Sequence, residues 1–540
     1  MTALSNEFDY IVVGAGSAGA ALAARLTESG RHSVLLLEAG PPDSSIWTRI
    51  PLGVVKVVEQ AKLTRKFFTE PDPQMNNRRI YWPRGWVVGG SSTVNGLMWV
   101  HGTPHEYDLW TQDGCPGWSY ADLLPWFKKI EAYQGGDSAT RGRNGPVTVT
   151  EFAPIDALPD AFLDSSAQAG IAPRVDDYNA QGYGGSYTQF NTRNGIRCNT
   201  RMAYLDDAVG RPNLQLQSGT LVSRVLIEGR RAVGVQATVG GREGQYKARR
   251  EVILCGGAFN SPQLLELSGI GRRDVLAAAG VPLLHELPMV GENLSEHVYS
   301  PMVYRSKPEV SWNKRLNSMI GQASVGLQWL GSRGGPLSTN TITAKTFAPM
   351  QSGAPHAELK LQVQQVSAAN NRGTGKMVLD DFPGITLASF QIRPRSRGSC
   401  HIASANPAAD PVLVSNHFSH PEDIEHCLVA LKKSRRIAET GPLSRLIEEE
   451  MRPGPKAASD EALIEHLRAT GATAYHPLGT CRIGSDPQQS VVDTQLRVHG
   501  IDGLRVADAS VMPTIAATNT NAIAIAIGER CADFIQNEGR

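Results

Sequence analysis

Apolar and polar positions alternate in blocks from the first residues of the chain. Tyr10-Ile11-Val12-Val13 is a strand-length apolar run, Ala20 to Leu26 is an Ala/Leu-rich helical stretch, and Val34-Leu35-Leu36-Leu37 is a second strand-length run ending in Glu38. Strand, helix and strand in that order predict a βαβ unit. Further along, Glu251-Val252-Ile253-Leu254 reads as a strand. A helix is predicted to begin at Pro262 and end at Gly269, and the Ala/Ile-rich run from Ala522 to Ile527 reads as a buried helix. No uninterrupted apolar stretch reaches the ~18 residues of a membrane span.

The turn inside the βαβ unit carries the first chemistry. Gly14-Ala15-Gly16-Ser17-Ala18-Gly19 is a G-x-G-x-x-G sequence between the predicted strand and helix. Gly14 allows the tight turn, Gly16 lets a pyrophosphate approach the backbone, and Gly19 lets helix and sheet pack closely. Free N–H groups and the helix dipole then face the phosphates. Glu38 is placed to accept hydrogen bonds from an adenosine ribose and to repel a 2′-phosphate. NAD, NADP and FAD all present this ADP half, so the turn alone leaves the dinucleotide open.

Length and charge narrow the class. The chain has 540 residues, which predicts at least two domains, and its 53 basic and 52 acidic side chains leave no bias toward nucleic acid. Seven cysteines are scattered without C-x-x-C spacing, which predicts buried thiols rather than a disulfide framework or zinc ribbon. The first apolar run has no basic region before it, so a cytoplasmic protein is expected, with peripheral membrane contact left open. No helix-spaced His/Glu cluster motivates a metal.

Further stretches follow in a fixed order: Arg84-Gly85-Trp86-Val87-Val88-Gly89-Gly90-Ser91-Ser92-Thr93-Val94-Asn95-Gly96, then Gly257 to Gly271, Val290 to His297, His476 to Cys481, Asp508 to Pro513, and Asn519-Thr520-Asn521. Their order and separation resemble the glucose-methanol-choline (GMC) family of FAD-dependent oxidoreductases over nearly the whole chain, most closely its bacterial choline-dehydrogenase-like members. The resemblance implies an α/β fold, α+β overall, with a Rossmann-like FAD domain from residues 1–151, 196–297 and 469–540. A substrate domain from 152–195 and 298–468 would roof the flavin with an antiparallel sheet.

It also implies which residues hold the cofactor. Gly14, Gly16, Ser17, Ala18, Gly19, Glu38 and Ala39 would bind the ADP moiety, and Val222 would meet the adenine through its backbone. Arg84, Val88, Gly89, Ser91, Asn95 and Gly96 would line the pyrophosphate and flavin, while Asp508, Ala509, Asn519 and Thr520 would close over the ring and ribityl chain. Relatives with covalent FAD carry a histidine just before the Asn95 position; Val94 stands here, so noncovalent FAD is implied.

Hydride removal from an alcohol carbon needs a base at the hydroxyl and a hydride acceptor, which flavin N5 supplies. His476 is the expected base, since imidazole titrates near working pH, and Asn521 is expected to orient the substrate oxygen. His101, His297, His417 and His420 are read as structural. Choline enzymes carry an acidic residue in a stretch similar to Gly335 to Thr343, where Thr343 stands here, so a quaternary ammonium loses its counter-charge. The reading is oxidation of a neutral primary alcohol to an aldehyde, with reoxidation by a quinone-like acceptor favoured over O2. The alternatives are an oxidase and an FAD-containing lyase of the hydroxynitrile-lyase type.

Overall fold

The computed structural model describes residues 6–136, 138–351, 353–369, 377–516 and 519–538. β1 (Glu7–Val13) and β2 (Val34–Leu37) lie parallel, Tyr10 opposite Val34 and Val13 opposite Leu37, with α1 (Ser17–Thr27) connecting them. β3 (Leu214–Gln217) adds outside β2. On the other side of β1 runs β4 (Arg242–Leu254), whose last residues also pair with Leu504–Val506. Five parallel strands from four distant parts of the chain therefore share one sheet. Val252, Ile253 and Leu254 have no exposure, as expected for strands covered on both faces. The first half of β4 bends out into an antiparallel meander with Arg231–Val239 and Thr220–Glu228.

The helix after β4 differs from the expectation. α2 runs Gly257–Leu267, so Pro262 lies inside it rather than at its start. The Asp508 carboxylate fixes the earlier beginning, accepting from the Gly257 N–H at 2.8 Å and the Ser261 hydroxyl at 2.6 Å. Pro262 has no N–H for the Ala258 carbonyl, and the Thr480 hydroxyl donates to that oxygen instead at 2.7 Å. Gly269 follows the helix with φ +81°, a left-handed turn that suits glycine.

A second sheet covers the C-terminal ends of the parallel strands. It contains β5 (Val298–Ser306), with α3 (Met319–Ser332) in the connection to β6 (Ile342–Ala348), then β7 (Leu359–Gln364) and β8 (Gly384–Gln391). The antiparallel order is Ile447–Arg452, β5, β8, β7, β6, Gly184–Tyr187, with Ala472–Thr473 added at the start of β5. Alternation along β7 separates its two faces. Leu359, Leu361 and Val363 pack in a core with Phe162 of the helix Leu158–Gln168 and Leu431 of the helix Pro421–Ala438, while Lys360, Gln362 and Gln364 face a cavity.

α4 (Asn521–Asn537) returns the chain to the parallel sheet and packs along α1. The helices touch at Gly528, where a Cβ would overlap the carbonyl of Ala18. Gly528→Ala is therefore expected to cost ~1–3 kcal/mol by overpacking. Urea denaturation checks this, and an unchanged midpoint would contradict the close crossing.

Candidate active site

One cavity of about 540 Å³ extends from the G-x-G-x-x-G turn to the face of the second sheet. At its first end two glycine loops meet backbone to backbone. Gly14 has φ +107°, and a Cβ there would overlap the Cys255 carbonyl; Gly90 has φ +52°, and its Cβ would come within 2.7 Å of the Gly16 Cα. Side chains are excluded at this junction, leaving exposed backbone along a trough. No side chain caps α1 at Gly16, so its first N–H groups are available to an anion. Both oxygens of Glu38 accept backbone N–H groups, from Ala15 at 2.9 Å and Gly40 at 2.8 Å. Burial nevertheless pushes its carboxyl up to about 7.

Most of the residues expected to hold a dinucleotide line this trough: Gly14, Gly16, Ser17, Ala18, Glu38, Ala39 and Val222 at one end, and Arg84, Ser91, Asn95, Gly96, Asp508, Ala509, Asn519 and Thr520 farther along. Three stand behind the wall. Gly19 closes α1 onto the Gly14 carbonyl, Val88 is buried in the core, and the Gly89 N–H donates to the Ala15 carbonyl at 2.8 Å. Gly90 takes the wall position instead. The Asn95 amide oxygen accepts from buried Arg197 at 2.8 Å, so its contact with a ligand is left to its remaining donor and backbone. The trough, the bare helix terminus and the carboxylate at its end fit an ADP-containing cofactor.

His476 lies at the other end, 9% exposed, on a turn where Tyr475 takes φ +69°. Arg84 donates to the Tyr475 carbonyl at 2.9 Å, and the Glu296 carboxylate accepts the His476 N–H at 2.8 Å, so the backbone is held from both sides. The ring makes two further contacts. Its Nδ1 is 3.0 Å from His297 Nδ1, and its Nε2 is 3.0 Å from Asn519 Nδ2. His297 Nε2 lies 2.7 Å from the Ile392 carbonyl, which can only accept, so His297 donates there and its Nδ1 is a lone pair. His476 must then donate from Nδ1, leaving Nε2 as an acceptor, and the Asn519 amide donates to it at the cavity wall.

Burial and surrounding charge keep both rings neutral. Burial pulls His297 down to about 4 and His476 well below the usual histidine range, with Lys360 and Arg84 adding repulsion at His476. Lys360, buried on β7, is itself pulled down to about 7 by burial, and donates to Asn519 Oδ1 at 3.2 Å. That contact orients the amide, since the flipped rotamer would set two donors face to face.

Asn521, the expected partner of His476, lies elsewhere: its side-chain oxygen accepts from Ser17 Oγ at 2.7 Å, where α4 begins beside α1. Asn519 is the amide beside His476. The sequence reading also passed over His297 and Lys360. Lys360 carries a signal, as the polar member of an alternating Leu-Lys-Leu-Gln-Val-Gln strand; His297 shows none beyond its place in the Val290 stretch. Thr343 is buried outside the cavity wall. Among the described lining residues the carboxylates are Glu38 and Asp508, both at the trough, whereas Lys360 and Arg452 lie under the second sheet. Glu296, His297 and His476 are the one grouping with metal-ligand spacing among the described residues, but backbone N–H groups occupy the carboxylate and the two rings bond each other. The seven cysteines are buried and free.

This arrangement has two spectroscopic and thermodynamic consequences. Nitrogen NMR of histidine-labelled protein should show His476 as the neutral Nδ1–H tautomer at pH 7, and an imidazolium signal there would contradict the hydrogen-bond chain. Because the folded pKa values of His297 and His476 lie below the unfolded value, their contribution is full above about pH 6.5 and is lost as pH falls toward 4. For His297 alone the loss amounts to about 3 kcal/mol. Denaturation of His297→Gln should show a flatter slope over that interval, and an unchanged slope would contradict a neutral buried ring.

Known proteins resemble the chain over most of its length. The GMC oxidoreductase family models match residues 8–299 and 394–528. The chain is 38% identical to the oxygen-dependent choline dehydrogenase of Escherichia coli K12 over 541 aligned positions, covering 98% of this chain and 96% of that one. Pyridoxine 4-oxidase from Mesorbium loti superposes with TM-score 0.87 at 28% identity over 98% of this chain and 99% of that one. A formate oxidase superposes with TM-score 0.91 at 25% identity over 99% of each chain. The chain belongs to the GMC oxidoreductase family, FAD-dependent enzymes that oxidise CH–OH groups.

Proposed function

We propose that the protein oxidises a neutral primary alcohol, aliphatic or aromatic, to the aldehyde, with His476 Nε2 as the base. The observation that carries this reading is the tautomer of His476, set two hydrogen bonds away at the Ile392 carbonyl, which makes Nε2 an acceptor at the cavity wall beside the Asn519 amide. FAD, when bound, supplies the hydride acceptor. Val94, on the cavity wall, offers no nucleophile, which supports noncovalent attachment.

The roles of the chain's own residues follow from their contacts. An alcohol hydroxyl that replaces the Asn519–His476 hydrogen bond donates its proton to Nε2, while the freed Asn519 N–H donates to the oxygen and holds it in place. Lys360 keeps that amide pointed at the base. Burial and the nearby cations keep His476 unprotonated before reaction and drive the proton off again afterwards. A trimethylammonium substrate would meet Lys360 and, among the described lining residues, no carboxylate under the second sheet, which supports an uncharged alcohol.

Anaerobic reduction of the bound flavin by benzyl alcohol should slow by about 10²–10⁴-fold in His476→Gln with FAD retained. An unchanged rate, or cyanohydrin cleavage with the flavin oxidised throughout, would refute the assignment. Lys360→Met removes a cation beside His476, so the acidic limb of the pH–rate profile should move to higher pH, with reduction slowed about tenfold by the loosened amide. A limb that stays in place or moves to lower pH would contradict that role.

A further inference from the structure

α3 presents its apolar side to solvent. Met319, Ile320, Leu327 and Leu330 are 87%, 86%, 70% and 65% exposed, and Ala323 is exposed between them. At 3.6 residues per turn these five positions fall within an arc of about 100°. Val325 and Trp329, the helix's buried residues, lie on the opposite side and attach it to the protein, Trp329 Nε1 donating to the Gly195 carbonyl at 2.9 Å. Single exposed apolar side chains are ordinary, but a continuous helical stripe marks a surface that meets another phase or partner.

The charge along this segment of the chain has one sign. From Val310 to Ala357 the sequence contains no Asp or Glu, while Lys314, Arg315 and Arg333 flank the helix. Its polar positions are Gln, Ser and Gly. α3 is linked to the cavity wall through two turns. Pro336–Ser338, just after α3, packs on Pro51–Gly53, and the next helix, Val54–Glu59, contributes Val54, Val55 and Val58 to the cavity wall. Ile46 and Trp47, in the short helix before that turn, are 53% and 38% exposed.

We propose that α3 is a membrane-docking helix for an anionic lipid surface. Its apolar stripe sits at the acyl boundary, and Lys314, Arg315 and Arg333 lie among the anionic headgroups. Docking there sets the cavity wall near the bilayer, from which an apolar alcohol or lipid-soluble electron acceptor can be drawn. The surface is independent of the chemistry assigned to His476.

Flotation of the full-length, FAD-loaded protein with phosphatidylcholine vesicles, with and without a quarter of phosphatidylglycerol, tests this. The protein should float with the anionic vesicles and detach at high salt. Ile320→Ser with Leu327→Ser should lower the partition coefficient at least about tenfold. Lys314→Gln with Arg333→Asn, which keeps a left-handed-tolerant residue at position 333 where φ is +53°, should lower it about tenfold or more on anionic vesicles only. Both variants should keep their flavin and its reduction by a water-soluble alcohol, which separates lost docking from misfolding or failed chemistry. Absence of wild-type flotation, equal flotation of both variants, or a discrete dimer in light scattering that the apolar variant dissociates would overturn the proposal.

Discussion

His476 is buried beside cations, and among the described residues no carboxylate hydrogen-bonds its ring, the nearby Glu296 accepting its backbone N–H instead. A charged imidazole is therefore unfavourable there, and a neutral one must have each nitrogen satisfied in one specific sense. The chain of contacts supplies that sense: Ile392 accepts from His297, His297 accepts from His476, and Asn519 donates to His476 while accepting from Lys360. Reversing any member leaves two donors or two acceptors face to face in a buried site. The requirement draws on Ile392 just beyond β8, Lys360 on β7, His297 just before β5, and two C-terminal turns, so the second sheet and the parallel sheet must be correctly seated on each other.

The opposite end of the cavity depends on closeness rather than polarity. Gly14, Gly16 and Gly90 bring separate loops into backbone contact, and α1 is left uncapped at the resulting trough. Glu38 anchors that turn through Ala15 and Gly40. Asp508 does comparable work for α2, where its carboxylate and the Thr480 hydroxyl compensate for a proline within the helix. Both turns place their polar demands on backbone N–H groups, which keeps side chains out of the space a cofactor needs.

Local pattern made the first βαβ unit legible, because two short apolar runs, a glycine turn and an acid all lie within forty residues. It also singled out His476, through a motif that resembles one in relatives. Register was harder to read. Asn519 and Asn521 flank one threonine, and only the position at which α4 starts decides which amide turns toward His476 and which bonds Ser17. Lys360 was hidden for a related reason, since an alternating strand tells which residues share a face but not that this face looks into a cavity. His297 acts through a contact with a residue 179 positions away, and Pro262 sits mid-helix because of partners at Thr480 and Asp508, far along the chain. No window of sequence contains those constraints.

A crystal structure of the FAD-bound protein with a non-reactive alcohol analogue tests the central claim most directly. The alcohol oxygen is predicted to lie about 2.6–3.2 Å from both His476 Nε2 and Asn519 Nδ2. An analogue bound with its oxygen away from Nε2, or a His476 ring turned so that Nδ1 faces the alcohol, would contradict it.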